Sequence, residues 1–133
     1  MQWSAEPNAG FTTGTPWLTI NSNYQTVNVE ASEKDSTSIL NFVRALTRLR
    51  NEHKDVLVYG KYTLVDKDNP YVYAYTREMG NRKFLILLNF TSKKATTSTR
   101  VEMNKAKLLL GNYSTPSMNG ELQPYEAVIM ELD

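Results

Sequence analysis

YVYAYTREMGNRKFLILLN, residues 71–89, reads as two β-strands folded back on each other. β-Branched, aromatic and other apolar residues crowd Tyr71 to Arg77 and Lys83 to Asn89, and such side chains suit a pleated surface. Between them, Met79-Gly80-Asn81-Arg82 supplies a tight turn, because Gly and Asn tolerate the positive φ that a short hairpin requires. A chain organised around such a hairpin is expected to be mainly β and antiparallel.

Outward from the hairpin the β-formers continue. Val56 to Tyr59, Tyr62 to Val65, Thr96 to Val101, Lys107 to Leu110 and Gln123 to Leu132 each predict a further strand, making seven with the two above. Asp66 to Pro70 and Asn119-Gly120 punctuate them as polar turns. Seven short strands with tight turns make an antiparallel β-sandwich or open barrel. No internal repeat or low-complexity stretch interrupts the pattern.

Before Asp55 the period changes. Ile39, Phe42, Val43, Leu46 and Leu49 recur at spacings of three and four, which predicts one amphipathic helix over residues 36–51 with an apolar stripe. Glu33 and Asp35 stand before its start, while Arg48, Arg50, His53 and Lys54 gather at its end, both signs matching the helix dipole. Ser36 or Asp35 is the expected N-cap. Residues 1 to about 33 hold no sustained period and are rich in Asn, Thr, Ser, Pro and Gly, so a long loop is expected there. Trp3, Phe11, Trp17, Ile20 and Tyr24 supply apolar area that a solvated tail would not need. They either staple the loop to the body of the protein or meet a ligand.

Composition narrows the partners. With 133 residues, 41% hydrophobic, 22% charged and a net charge of +1, the chain offers no basic or acidic field to draw nucleic acid, an anionic membrane or a strongly charged substrate. Neutral sugars stay allowed. Cysteine is absent, which excludes disulfides and thiolate metal sites. One histidine and no dense acid cluster argue against a zinc or transition-metal site, and no cofactor is expected. Asn89-Phe90-Thr91 and Asn112-Tyr113-Ser114 are candidate N-glycosylation sites that lean toward a secretory route. No signal peptide and no apolar run long enough to span a bilayer are present in these residues.

Several single residues admit a chemical role beside a plainer one. Glu126 shares strand parity with Val128, Met130 and Leu132 and is expected to face inward as a hydrogen-bonded structural carboxylate, since no second acid is placed by motif to work with it. His53 is expected to be a solvated partner of the helix dipole. Asp66, Asp68 and Asn69 lack the Gly and distal Glu of a calcium loop and read as a turn. Tyr71, Tyr73 and Tyr75 form a ladder that serves either as a sheet packing face, the favoured reading, or as a platform for sugar stacking.

Met1-Gln2-Trp3, Asn8-Ala9-Gly10-Phe11 and Pro16-Trp17-Leu18 together resemble the segment after the last barrel strand of maltase and oligo-1,6-glucosidase type α-glucosidases, in glycoside hydrolase family thirteen of the α-amylase superfamily. Ser38-Ile39-Leu40-Asn41-Phe42 with Leu46, Leu49 and Arg50 resembles the family's eighth barrel helix. Leu57 with Tyr59-Gly60, Leu88-Asn89-Phe90, and Leu122-x-Pro124-Tyr125-Glu126-Ala127 resemble the entry, central strand and final strand of its C-terminal β-domain. Among subtypes the resemblance lies nearest animal, insect-like maltases.

The resemblance implies that residues 1–54 are the loop and last helix of a truncated (β/α)8 barrel and residues 55–133 an α-amylase-type C-terminal antiparallel β-domain. It implies that the chain is part of a larger, retaining enzyme acting on terminal α-linked glucose, secreted or anchored outside the membrane. A barrel typically takes about 250 residues, more than this chain holds. The family's nucleophile, acid/base and stabilising carboxylate belong to earlier barrel strands, and none of those motifs occurs here. The implied role of Gln2, Trp3, Asn8 and Phe11 is to shape the rim of the active-site mouth; the arginine-containing stretch that usually precedes Met-Gln-Trp is not in this sequence. Alone, the chain is expected to be structural and inactive. Two alternatives stand beside this, a non-enzymatic relative serving as the heavy chain of an amino-acid transporter, and an independent carbohydrate-binding β-module. Without barrel elements to cover it, the stripe Ile39, Phe42, Val43, Leu46 and Leu49 is expected to self-associate, refold onto the sheet or lie in a disordered segment, because burying each such side chain is worth ~1.5–3 kcal/mol.

Overall fold

The computed structural model describes residues 1–133, in two compact units, Met1–Thr47 and Arg48–Asp133. The first is a loop with two 3-10 turns, Pro7–Gly10 and Ser22–Gln25, followed by helix α1 (Val29–Lys34) and the start of α2 (Ile39–Glu52). α1 lies where only loop was expected. Its warrant is a cap: the Asn28 side chain accepts from Ala31 N at 2.8 Å while its Nδ2 donates to Tyr24 O at 2.8 Å, so a short polar residue ends the loop and starts the helix together.

α2 matches the expected helix, but its cap is Ser38 rather than Ser36 or Asp35. Ser38 Oγ accepts from Asn41 N at 3.2 Å and donates to Ser32 O at 2.6 Å. Asp35 Oδ1 is occupied instead by Thr37 N and Oγ1, at 2.8 and 2.7 Å, hydrogen bonds that hold its carboxyl below the usual range. Asn41 Nδ2 then reaches the carbonyls of Ser32, Glu33 and Asp35, satisfying backbone acceptors that the end of α1 leaves open. No residue of α2 is buried, and Ile39, Val43 and Leu46 are 83%, 49% and 37% exposed. Of the self-association, refolding or disorder expected for this stretch, disorder is not what the structure shows: hydrogen bonds and caps form the helix, with Phe42 and Leu49 of its stripe half-buried and Ile39, Val43 and Leu46 exposed.

The second unit carries the end of α2, α3 (Lys54–Leu57) and seven strands: β1 (Lys61–Leu64), β2 (Val72–Met79), β3 (Arg82–Asn89), β4 (Ala95–Thr96), β5 (Lys107–Gly111), β6 (Glu121–Leu122) and β7 (Ala127–Leu132). Five form an antiparallel sheet in the order β1-β2-β3-β7-β5, and β4 pairs with β6 in a second, two-stranded sheet. β2 and β3 pair from Val72↔Asn89 to Met79↔Arg82, closed by Gly80-Asn81 with Gly80 at φ +60°, so the expected hairpin is formed at the expected turn. The fold is the expected antiparallel sandwich.

Both faces of the large sheet carry apolar side chains. Val72, Ala74, Leu85, Leu87, Val128 and Met130 pack with Ala95 of β4 and Leu122 of β6 between the sheets. On the opposite face Phe84 and Ile86 pack against Val56 of α3, flanked by Leu57, Tyr75, Leu88, Leu109 and Ile129. Four consecutive buried residues, Phe84, Leu85, Ile86 and Leu87, are the signature of a strand covered on both sides.

Three strand expectations are corrected. Val56 to Tyr59 is not a strand: Val56 N and Leu57 N both donate to His53 O, and the resulting helical turn delivers Val56 and Leu57 onto the sheet. Gly60 ends that turn, since a Cβ there would collide with Val56 O and come within 2.9 Å of Glu78 O. Thr96 to Val101 leaves the ladder after Thr96, because Asp66 captures Thr97 Oγ1, Ser98 N and Ser98 Oγ, each at 2.8 Å. Gln123 to Leu132 is broken by a turn, Glu126 N to Gln123 O at 3.1 Å, that holds Tyr125 at φ +55°.

His53 is not the solvated residue expected. It is half-buried, with Nδ1 3.0 Å from Arg82 Nη2 and its ring edge-on to Phe84 at 5.3 Å. Arg82 also donates from Nε to Glu131 at 2.9 Å, the leading reason its guanidinium is held above its ordinary pKa. Arg82 thus joins the end of α2 to β3 and β7.

Candidate functional site

The opening loop is shaped by amides and by backbone that most residues avoid. Asn8, Ala9 and Gly10 all lie at positive φ, +58°, +55° and +74°. The turn they make returns Ala9 O to accept from Trp3 N at 3.0 Å and Ser4 N at 3.3 Å, and it buries Ala9 completely. Glycine is needed at position 10, where a Cβ would sit 3.2 Å from Trp3 Cβ as well as adopting a strained φ. Asn8 supports its conformation locally: Nδ2 donates to Thr12 O at 3.1 Å and Gly14 O at 2.9 Å, fixing the next bend. Non-glycine residues held at positive φ are a mark of sites whose surroundings over-determine them.

Gln2 and Trp3 are fastened from the other side. Gln2 O accepts from Val29 N at 2.9 Å, Trp3 O from Glu30 N at 3.0 Å, and Gln2 Nε2 donates to Asn23 Oδ1 at 2.7 Å. With its backbone and amides so engaged, the loop leaves its aromatic rings free: Trp3, Phe11 and Trp17 are 58%, 51% and 91% exposed. Between Met1-Gln2, Phe11-Thr12 and residues 16–21 lies a cleft of about 530 Å³. Its size suits a small neutral ligand, and no acidic or basic side chain lines it.

Of the four rim candidates, Gln2 and Phe11 line this cleft; Asn8 lies with Phe11 on a neighbouring hollow of about 590 Å³, and Trp3 lines neither. Trp17 and Ile20 complete the cleft wall and were not among the rim candidates, although Pro16-Trp17-Leu18 is one of the motifs that carry the family resemblance. Asn23 and Asn28, which hold Gln2 and α1, were also missed; Asn28 ahead of an acidic first turn was the available signal. The cleft can position a substrate by stacking and amide hydrogen bonds. No Asp, Glu, His or Lys is among its lining residues.

The other candidate residues are structural in their geometry. Glu126 is fully buried, and its two carboxylate oxygens accept from Ser117 N and Gln123 N, each at 2.6 Å. Burial raises the pKa of Asp66, but hydrogen bonds from Ser98, Thr97 and Asn69 together outweigh it and hold the carboxyl below its ordinary value. Asn89 is buried with Nδ2 donating to Lys93 O and Gln123 O, both at 2.7 Å, so neither amide hydrogen is free for a glycan. Asn112 is exposed and donates one hydrogen bond, to Tyr125 O at 2.9 Å. In the tyrosine ladder, Tyr73 and Tyr75 meet at 5.3 Å, and Tyr62 joins them by its hydroxyl, 2.7 Å from that of Tyr73. That hydrogen bond, with some desolvation, pushes Tyr62 up to about 12.

Comparison with known proteins places this geometry. A family model for the α-amylase catalytic domain matches residues 1–60, and one for the maltogenic amylase C-terminal domain matches residues 62–129. An oligo-1,6-glucosidase from Heyndrickxia coagulans is 41% identical over 133 residues, all of this chain and 23% of that protein. An α-glucosidase from Candida albicans is 36% identical over 134 residues, again all of this chain and 23% of its own length. A trehalulose synthase from Pseudomonas mesoacidophila MX-45 superposes with a TM-score of 0.83 at 34% identity, over 99% of this chain and 24% of that one. The chain spans about a quarter of the length of the relatives it matches.

Proposed function

Because the chain belongs to the α-amylase superfamily, glycoside hydrolase family thirteen, as the C-terminal region of the α-glucosidase type, we propose that it serves a maltase-like α-glucosidase that removes terminal α-linked glucose from oligosaccharides. The observation that carries this reading is the cleft walled by Gln2, Phe11 and Trp17 with no carboxylate in it. Retaining hydrolysis needs two carboxyl groups about 5–5.5 Å apart across the glycosidic bond. The buried Glu126 and the half-buried Asp66 are engaged by backbone and hydroxyl donors. The chain therefore supplies rim and bracing, and the reacting carboxylates come from the barrel portion of the parent.

Gln2 and Phe11, with Trp17 added to them, contact the sugar; Trp3 and Asn8 hold the loop in shape. The stripe of α2 rests on barrel elements in the parent, and without them it drives association of two chains. The parent is secreted or membrane-anchored outside the cell, with Asn112 rather than Asn89 as the glycan acceptor, since a modified amide retains a single N–H and Asn112 uses one.

The test is hydrolysis of a chromogenic α-glucoside by the purified chain and by a chimera in which these 133 residues replace the matching end of the Heyndrickxia coagulans enzyme. The chain alone is expected to be inactive and the chimera active, with Phe11→Ala or Trp17→Ala raising KM. Turnover by the chain alone, abolished on mutating one of its own acids, would overturn the reading.

A further inference from the structure

The turn before β6 combines a reactive dipeptide with groups that assist its reaction. Asn119-Gly120 is the one place in the chain where asparagine precedes glycine. A side chain on the residue after asparagine shields the next backbone nitrogen from the asparagine Cγ, and glycine leaves that nitrogen open. Asn119 is exposed, so water and a departing ammonia reach its amide freely. No hydrogen bond holds Gly120 N, although Gly120 O is fixed by accepting from Thr97 N at 3.0 Å. The nucleophile is therefore uncommitted while the peptide that carries it is anchored.

The electrophile is prepared by two donors. Asn119 Oδ1 accepts from Ser117 Oγ at 2.9 Å and from Glu121 N at 3.0 Å. A backbone N–H can only donate, so the atom that meets Glu121 N is the carbonyl oxygen, and Nδ2 is the free leaving group. Donors aimed at an oxygen where negative charge develops lower the barrier to attack on the carbon beside it. Glycine is also required here on other grounds. Gly120 stands at φ +84°, and a Cβ would lie 2.8 Å from Thr97 Cγ2. Close packing beside β4 thus demands the residue that makes the pair labile.

We propose that Asn119 is a self-modification site, at which the Gly120 amide closes on the side chain to a succinimide that water opens to aspartate or isoaspartate. In the first step the bond from Gly120 N to Asn119 Cγ forms, the Cγ–Nδ2 bond breaks, and Nδ2 leaves as ammonia carrying the Gly120 amide proton. In the second, one water adds across either imide C–N bond, restoring the Gly120 N–H, and the new carboxyl group gives its proton to ammonia. Water is the sole co-reactant. Opening at Cγ keeps the normal backbone, with a carboxylate that Ser117 Oγ and Glu121 N still serve. Opening at the backbone carbonyl routes the chain through Cγ and adds one methylene ahead of β6. That insertion draws Gly120 O away from Thr97 N and loosens the pairs Thr96↔Glu121 and Ala95↔Leu122, beside the buried Leu122.

The experiment ages the purified 133-residue chain, folded and in urea, in warm and mildly alkaline buffer. Tryptic peptides are then read by mass, with fragment ions placing the site, and by labelling with an isoaspartyl methyltransferase. Asn119 is expected to convert before any other asparagine, and at least as fast in the folded chain as in urea. Ser117→Ala is expected to slow the folded chain roughly three- to tenfold, the worth of one solvent-accessible hydrogen bond, and to leave the rate in urea unchanged. In the isoaspartate fraction Thr97 N should exchange its hydrogen faster than in the unaged chain. A folded chain that stays intact while the chain in urea converts, or another asparagine converting first, overturns the site. Equal folded rates with and without Ser117→Ala overturn the assistance given by the donors, and unchanged exchange at Thr97 overturns the loosening of β6.

Discussion

The opening loop and the central sheet are both ordered, and different physics orders them. In residues 1–47 only Ala9 and Asn28 are buried, and the path of the chain is set by side-chain amides of Gln2, Asn8, Asn23, Asn28 and Asn41. In β2, β3 and β7, burial does the same work: Phe84, Leu85, Ile86, Leu87, Val128 and Met130 are at most 3% exposed. A loop shaped by hydrogen bonds can leave its aromatic rings outward for a ligand. A sheet shaped by area buries most of its apolar side chains, and Tyr71, Tyr73 and Phe90 at one end are among its exposed exceptions.

The contrast is broken first by Phe84→Ala, expected to cost ~3–5 kcal/mol in urea unfolding, against a change within about 0.5 kcal/mol for Trp17→Ala. Equal costs would mean that the loop ring is buried in solution. Next comes Glu126→Ala, which strips the acceptor from two backbone N–H groups, Ser117 and Gln123; about 2–4 kcal/mol is expected, and Glu126→Gln should lose less. Asn28→Ala should cost about 1–2 kcal/mol and act locally, with faster amide exchange at Ala31 and unchanged protection in β3. Protection lost in both places would show that loop and sheet unfold as one.

Two smaller effects follow pH. Asp66 has a folded pKa below its unfolded value of about 3.9, so its contribution is present above that pH and is lost as pH falls through the lower folded value. Acid unfolding should accordingly begin near Thr97 and Ser98, and Asp66→Asn should flatten stability below about pH 4. Tyr62 is shifted the other way. Its stabilisation is complete below the ordinary tyrosine value of about 10 and is lost as pH rises toward about 12, and Tyr73→Phe should return its ultraviolet titration toward 10.

The hairpin was legible because its turn and its strands carry independent signals that agree, Gly80-Asn81 between two β-rich runs. The α2 helix was legible from its stripe, although its cap was displaced to Ser38 because Asp35 is turned toward Thr37. Val56 to Tyr59 was misread because a run of four apolar residues has no period of its own; the sheet it lands on chooses the helical turn. At the site, Gln2 and Phe11 were legible from the motif, while Trp17 joined them only through the bend that Asn8 imposes on Thr12 and Gly14.

Composition, period and turn residues by themselves determined a mainly β chain with one amphipathic helix, a long loop and no catalytic carboxylate motif, because these depend on local chemistry that neighbouring residues share. Which carboxylate serves which donor, where each long strand breaks, and which end of the sheet face lies bare were decided only in the tertiary structure. Those outcomes depend on partners distant along the chain: Glu126 meets Ser117, Asp66 meets Ser98, and Val56 meets Phe84 only after folding has brought them together.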